Sequence, residues 1–169
     1  MMRDGIDPVR RGLFRGRLRP EPSPLRPPWA RRDGFTDACT RCGACLDACP
    51  DNLLVPGDGG FPEIDFKLGE CSFCGACADA CPEPAFDKGG EPWDIVAVIG
   101  RTCFAERGIV CRSCRDACPA AAITFTLRPG GVALPHVDGQ ACTGCGACLS
   151  ACPADAVSMQ RPKGNADAG

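Results

Sequence analysis

The sequence predicts an α+β fold of two tandem modules behind a basic tail, and three observations carry that expectation. All 16 cysteines fall into four runs, each closing on C-x3-C-P. The runs recur at a near-constant interval, with 21, 21 and 23 residues between the last cysteine of one and the first of the next, which is an internal-repeat signal. Between the runs lie short apolar segments bounded by Gly and Pro, which suit brief strands rather than long helices.

Residues 1–34 form the basic tail. Nine arginines between Arg3 and Arg32 face only Asp4, Asp7, Glu21 and Asp33, and Pro20, Pro22, Pro24, Pro27 and Pro28 favour extended backbone. Two readings stand for this tail. One is a disordered soluble extension; the other is a docking arm whose arginines, with Leu13, Phe14, Leu18 and Trp29, engage an acidic or mixed protein surface.

The first module is expected over residues 35–97. Its run Cys39, Cys42, Cys45, Cys49 leads into a short helix, Ala44 to Cys49, in which Cys45 and Cys49 share a face, and Pro50 stops the helix. Leu53-Leu54-Val55, a Gly57-Asp58-Gly59-Gly60 turn and Ile64-Asp65-Phe66 then offer a strand pair before the run Cys71, Cys74, Cys77, Cys81 with Pro82. The second module spans 98–160. It opens on a stretched run, Cys103-x7-Cys111-x2-Cys114-x3-Cys118 with Pro119. Ala122–Thr126 can pair with Gly131–Val137 across Arg128-Pro129-Gly130. The regular run Cys142, Cys145, Cys148, Cys152 with Pro153 and a last strand, Ala156–Met159, complete it. Residues 161–169 are a polar, flexible tail.

The spacing C-x2-C-x2-C-x3-C-P is that of bacterial ferredoxins, in which three close cysteines hold one [4Fe-4S] cluster and the fourth ligates its neighbour. Four runs imply four [4Fe-4S] clusters. Crossed ligation gives cluster A from Cys39, Cys42, Cys45 and Cys81, and cluster B from Cys71, Cys74, Cys77 and Cys49. Cluster C takes Cys103, Cys111, Cys114 and Cys152, and cluster D takes Cys142, Cys145, Cys148 and Cys118. Run one then depends on run two, and run three on run four, which makes each pair a module. Gly43, Gly75 and Gly146 follow the second cysteine of their runs and admit close approach of backbone N–H groups to the cluster. Leu46, Phe73, Ile123, Leu149 and Val157 are candidates to shield the clusters, or ordinary core residues. In run three Cys111-Arg112-Ser113-Cys114-Arg115 lacks the glycine and adds two cations, which should raise the potential of cluster C.

Leu, Ile, Val and Phe supply fewer than one residue in five, at the edge of what sustains an ordinary core. Metal ligation must then supply much of the stability, and the metal-free chain should be largely unfolded. Zinc is the competing reading of the cysteines, but zinc sites usually present separated C-x2-C pairs. A disulfide scaffold would need an oxidising compartment. Arg10-Arg11-Gly12-Leu13-Phe14 resembles the start of an export signal, yet Arg15, Arg17, Arg19 and Pro20 interrupt the apolar stretch that must follow. A cytoplasmic protein without stable membrane insertion is expected, since no run approaches the ~18 apolar residues of a span.

The net charge of −2 counts thiols as neutral. Each [4Fe-4S]2+ core with four thiolates adds about −2, bringing the loaded chain to about −10, so nucleic acid is not an expected ligand. His136 has no catalytic companions, there is neither G-x-G-x-x-G nor a P-loop, and every cysteine is committed; no enzyme activity is expected.

The chain from about residue 10 to 160 resembles the NapF family, ferredoxin-type accessory proteins of the periplasmic nitrate reductase system. The likeness rests on Arg10-Arg11-Gly12-Leu13-Phe14-Arg15-Gly16-Arg17, on Arg26-Pro27-Pro28-Trp29, on the three regular runs and above all on the long-loop run in third place. The resemblance implies a cytoplasmic four-cluster protein that binds the catalytic subunit of the periplasmic nitrate reductase before export and assists its maturation. The 16 cysteines map onto the family's cluster ligands, and Arg10 and Arg11 onto its amino-terminal arginine pair. An electron-transfer polyferredoxin serving a reductase is the alternative.

Overall fold

The computed structural model describes residues 24–162. Five helices of one turn each and six short strands alternate along it: α1 (Phe35–Ala38), α2 (Ala44–Asp47), β1 (Leu54–Pro56), β2 (Pro62–Ile64), α3 (Ala76–Asp79), β3 (Val96–Ile99), α4 (Ser113–Asp116), β4 (Ile123–Thr126), β5 (Leu134–Val137), α5 (Ala147–Ser150) and β6 (Val157–Gln160). The α+β class follows from this mixture. Every strand pair is antiparallel and two-stranded: β1 with β2, β4 with β5, and β3 with β6.

Local chemistry explains the shortness of these elements. The β1–β2 ladder closes just past the facing pair Pro56 and Pro62, where the N–H of Gly57 donates to the carbonyl of Phe61 at 2.8 Å. Beyond that pair Gly59 (φ 66°) and Gly60 (φ 78°) turn the chain in the left-handed region. The hairpin expected across Arg128-Pro129-Gly130 forms with Ile123 opposite Val137. Each cysteine-rich helix ends one turn after it starts, and the run's proline follows close behind.

Two features differ from the expectation. The boundary expected between residues 97 and 98 falls inside β3, a strand whose pairing with β6 closes the second half on itself. Residues 24–34, grouped above with the tail, are built into the first half. Trp29 donates its N–H to the Pro92 carbonyl at 2.6 Å, Arg31 donates to Ala85 at 3.0 Å, and Ala30 bridges Phe86 in antiparallel fashion. Apolar Leu25 and Trp29 and the cation of Arg26 drew this segment inward, against the proline signal. The part of the tail before residue 24, with Arg10, Arg11, Leu13, Phe14 and Leu18, lies outside the described residues, as does the end of the chain from 163.

Arg26 is the hinge pin of that packing. Its guanidinium lies over the rings of Phe35 (5.6 Å) and Phe61 (5.3 Å), donates to the Pro62 carbonyl at 3.2 Å and pairs with Glu63 at 3.5 Å. Arg26→Ala should lower stability by about 1–2 kcal/mol, since a partly desolvated cation–π contact and an apolar stem are lost together. Arg31→Ala, at an exposed position, should change it by less than about 0.5 kcal/mol. Urea midpoints of the two loaded variants check this.

The two halves share one interior. Phe66, Ile95, Leu54, Ile64, Cys45 and Cys77 form a buried cluster. Ala97, Ile123, Val157, Cys114 and Cys148 form a second, and Leu149 and Met159 pack against both.

Candidate metal centres

In the three regular runs the residues on either side of the second cysteine are left-handed: Arg41 and Gly43 (φ 61° and 85°), Phe73 and Gly75 (55° and 78°), Gly144 and Gly146 (77° and 88°). Two such reversals in three residues curl the loop so that three cysteines face inward, and the glycine becomes the N-cap of the following helix. Arg41 and Phe73 adopt this conformation despite their side chains, at a cost of about 1–2 kcal/mol each. Run three is built differently. Its N-cap Arg112 has φ −134°, a conformation open to any residue, which is why the glycine is dispensable there.

The cysteines of different runs are brought together in crossed fashion. Cys71, Cys74 and Cys77 line one cavity with Cys49 of the preceding run. Cys103, Cys111 and Cys114 line another with Cys152, and Cys142, Cys145 and Cys148 a third with Cys118. Around Cys45 the charges of Cys39, Cys81 and Cys42 are near enough to raise its pKa. The helix turns make the crossing: α2 packs on α3 and α4 on α5, so a cysteine just past the end of one helix faces the neighbouring loop. Cys42 and Cys74 are exposed, whereas none of the second half's cysteines is.

Burial, with mutual repulsion second, governs the electrostatics of these thiols. It pushes Cys45 and Cys114 up to about 11 and Cys148 up to about 12. Cys71 and Cys77 rise to about 11 and about 12 through the same burial, partly offset by backbone N–H donors. Such thiols are protonated at neutral pH, and a metal taking them as thiolates must displace protons.

The donor set fits iron–sulfur clusters. All-thiol sites select soft centres such as zinc and iron–sulfur clusters. Among the described residues no three His, Cys, Asp or Glu side chains stand close enough to share a single metal ion. Thiols spread around a cavity match the separate iron corners of a cubane; a zinc ion would draw them to one point at about 2.3 Å. Of the apolar residues expected as shields, Phe73 lines the Cys49 cavity, Ile123 the Cys118 cavity and Val157 the Cys152 cavity; Leu54 and Phe125, not among those expected, line the first and the last as well. Leu46 and Leu149 pack into the shared interior instead. His136 sits exposed on β5, opposite Thr124, as a lone strand residue should.

A contact between the halves went unread in the sequence. The N–H of Cys71 donates to the carbonyl of Cys145 at 2.8 Å, so a cysteine of the second loop is hydrogen-bonded to one of the fourth. Trp93 secures the junction: its indole N–H donates to the Thr143 carbonyl at 3.0 Å. Its ring meets Phe66 and Phe73 edge-on at 5.8 and 5.5 Å. The only signal for it was that Trp93 is one of two tryptophans in the chain.

Known proteins share the cysteine-rich sequence of both halves. The family model described as a 4Fe-4S dicluster domain matches residues 38–85 and again 108–164. The chain is similar to ferredoxin-type protein NapF of Haemophilus influenzae, 49% identical over 143 residues, covering 83% of this chain and 81% of that protein. NapF of Escherichia coli is 43% identical over 157 residues, covering 92% and 96%. Ferredoxin-type protein NapG of Haemophilus influenzae is 33% identical over 149 residues, covering 73% of this chain and 53% of that protein.

Proposed function

Because the chain belongs to the NapF family of ferredoxin-type proteins, we propose that it is a cytoplasmic four-cluster iron–sulfur protein. In this reading it binds the catalytic subunit of the periplasmic nitrate reductase before export and assists its maturation. The observation that carries the reading is the crossed gathering of the cysteines, Cys49 with Cys71, Cys74 and Cys77 and the corresponding sets in the second half. Four cysteine sets would hold four [4Fe-4S] clusters, A to D, with the ligands predicted above. The clusters supply one-electron chemistry or iron and sulfide. The chain's own part is to hold thiolates in place, keep water from the buried sulfurs and present the sites to a partner. The arm before residue 24, with Arg10 and Arg11, is a candidate for that contact.

A relay of electrons to a reductase is the second reading, and one observation favours it specifically. The Cys71–Cys145 hydrogen bond joins the second and fourth cysteine loops, so clusters B and D would lie side by side and the four would follow the order A–B–D–C.

The two readings part in a strain lacking the chain. If it matures the catalytic subunit, that subunit should be deficient in cluster iron, and the purified loaded protein should restore it when added before export. A catalytic subunit fully loaded but short of electrons would overturn maturation and favour the relay.

Arg112 and Arg115, both exposed, flank Cys114 and its set. Replacing both with Gln is expected to lower the potential of cluster C, because two nearby cations that favour the electron-rich form are lost. An EPR-monitored redox titration reads this; an unchanged potential would sink it.

A further inference from the structure

The seven residues between Cys103 and Cys111 form a built projection. Arg107 donates its N–H to the carbonyls of Cys103 and Phe104 at 3.2 and 3.0 Å, Gly108 to Ala105 at 3.1 Å, and Ile109 to Phe104 at 2.8 Å. Gly108 reverses the chain at φ 79°. Ala105, 3% exposed, anchors the base in a buried cluster with Cys103 and Ala156. What this scaffold holds outward is apolar: Ile109 is 53% and Val110 75% exposed. Leu68, Val98 and Leu127, the other large exposed apolar residues among those described, stand singly in the chain. A rigid loop that spends hydrogen bonds and a buried anchor to expose two adjacent aliphatic groups has the marks of a contact surface.

Its rim is positively charged. Arg101, Arg107, Arg112 and Arg115 are exposed within the segment 101–115, against Glu106 in the loop and Asp116 just beyond it. None of the four arginines forms an ion pair with a described residue. The whole chain carries −2 before any metal is bound, so this is a local inversion of sign. Such a patch steers and orients an acidic partner while the apolar tip supplies contact area. Val110 directly precedes Cys111, and Phe104 lines the same cavity as Cys103, Cys111, Cys114 and Cys152, so a protein seated here stands over that cysteine set.

We infer that the 104–110 loop with its arginine rim is a docking face for the catalytic subunit of the periplasmic nitrate reductase, received through an apolar hollow rimmed by carboxylates. This rests on the partner proposed above, and the test separates the two. Binding of the purified catalytic subunit, before export, to the loaded protein is measured by calorimetry at low and at physiological salt. Ile109→Ser with Val110→Ser should weaken binding at least tenfold with iron and sulfide content unchanged. Leu68→Ser, an equally exposed control in the first half, should bind as wild type. Arg107→Glu should weaken binding severalfold at low salt and flatten the salt dependence; it decides the matter alone if the double variant loses iron. No binding by the wild-type protein would overturn the partner and this face with it. Wild-type binding that neither loop variant disturbs would overturn this face alone, as would a loss seen only on deleting residues 1–23, which would place the contact in the arm. Loss of self-association with partner binding intact would make the face a contact between two copies of the chain, and overturn the inference likewise.

Discussion

Changing Cys49 to alanine is expected to strip metal from the site of Cys71, Cys74 and Cys77, not from the site of the run in which Cys49 lies. Cys49 shares a cavity with the second run's cysteines, whereas burial and then the nearby thiols of Cys39, Cys81 and Cys42 raise the pKa of Cys45. Iron should fall from about sixteen to about twelve atoms per chain, with sulfide in proportion, if each set holds one cubane. Cys81→Ala should remove the complementary cluster and leave the first intact. Either change should also loosen the first half as a whole, because each thiolate set closes a long loop and metal binding is coupled to folding. Iron analysis joined to EPR of the two variants identifies which cluster is gone. Loss of the cluster of Cys39, Cys42 and Cys45 in the Cys49 variant would show uncrossed ligation and overturn the assignment.

Gly146→Ala should cost about 2–5 kcal/mol while Gly43→Ala costs about 1–2, although both glycines occupy the same place in the C-G-A-C motif. The backbone penalty is common to both, at φ 88° and 85°, and is about 1–2 kcal/mol. Their surroundings differ. A methyl group on Gly43 meets nothing within 4 Å, whereas one on Gly146 would run into the ring of Phe66 across the junction of the halves. Phe66 is 3% exposed and packed among buried neighbours, so its ring has no free direction in which to retreat, and overpacking of this kind adds about 1–3 kcal/mol. Denaturant unfolding of the loaded variants gives both values. Phe66→Leu should relieve part of the Gly146→Ala penalty; a double-mutant cycle with no coupling would place the strain elsewhere.

Much of this molecule was legible because cysteine spacing is a chemical constraint rather than a statistical tendency. A thiol has few reasons to recur at C-x2-C-x2-C-x3-C, and the packing of α2 on α3 and α4 on α5 leaves a fourth cysteine facing the next loop. The hairpin of β4 and β5 was readable for the same kind of reason, since Arg128-Pro129-Gly130 admits little but a turn. β3 was missed because Val96-Ala97-Val98-Ile99 has no alternation to announce a strand; its partner, β6, lies about 60 residues away along the chain. Residues 24–34 were misjudged because five prolines between 20 and 28 outweighed the apolar and cationic groups that fasten the segment to Phe35, Phe61 and Pro92. The junction at Trp93, Gly144 and Gly146 was hidden because a glycine in a cysteine loop reads the same whether it serves the loop or a neighbour.

The pairing of β3 with β6 bears on how the chain is born. As it leaves the ribosome, the first half has all its cysteines once Cys81 is out. The second cannot gather Cys103 with Cys152, nor lay β3 beside its partner, until nearly the last described residue has appeared. At about 5–20 residues per second that interval is roughly 4–14 s. Once Trp93 has followed, and until β6 arrives, Phe66 and Trp93 would present an open apolar face on a nascent half-protein. Any assembly factor that loads the first half co-translationally must also leave that face free for the arrival of Gly144 and Gly146.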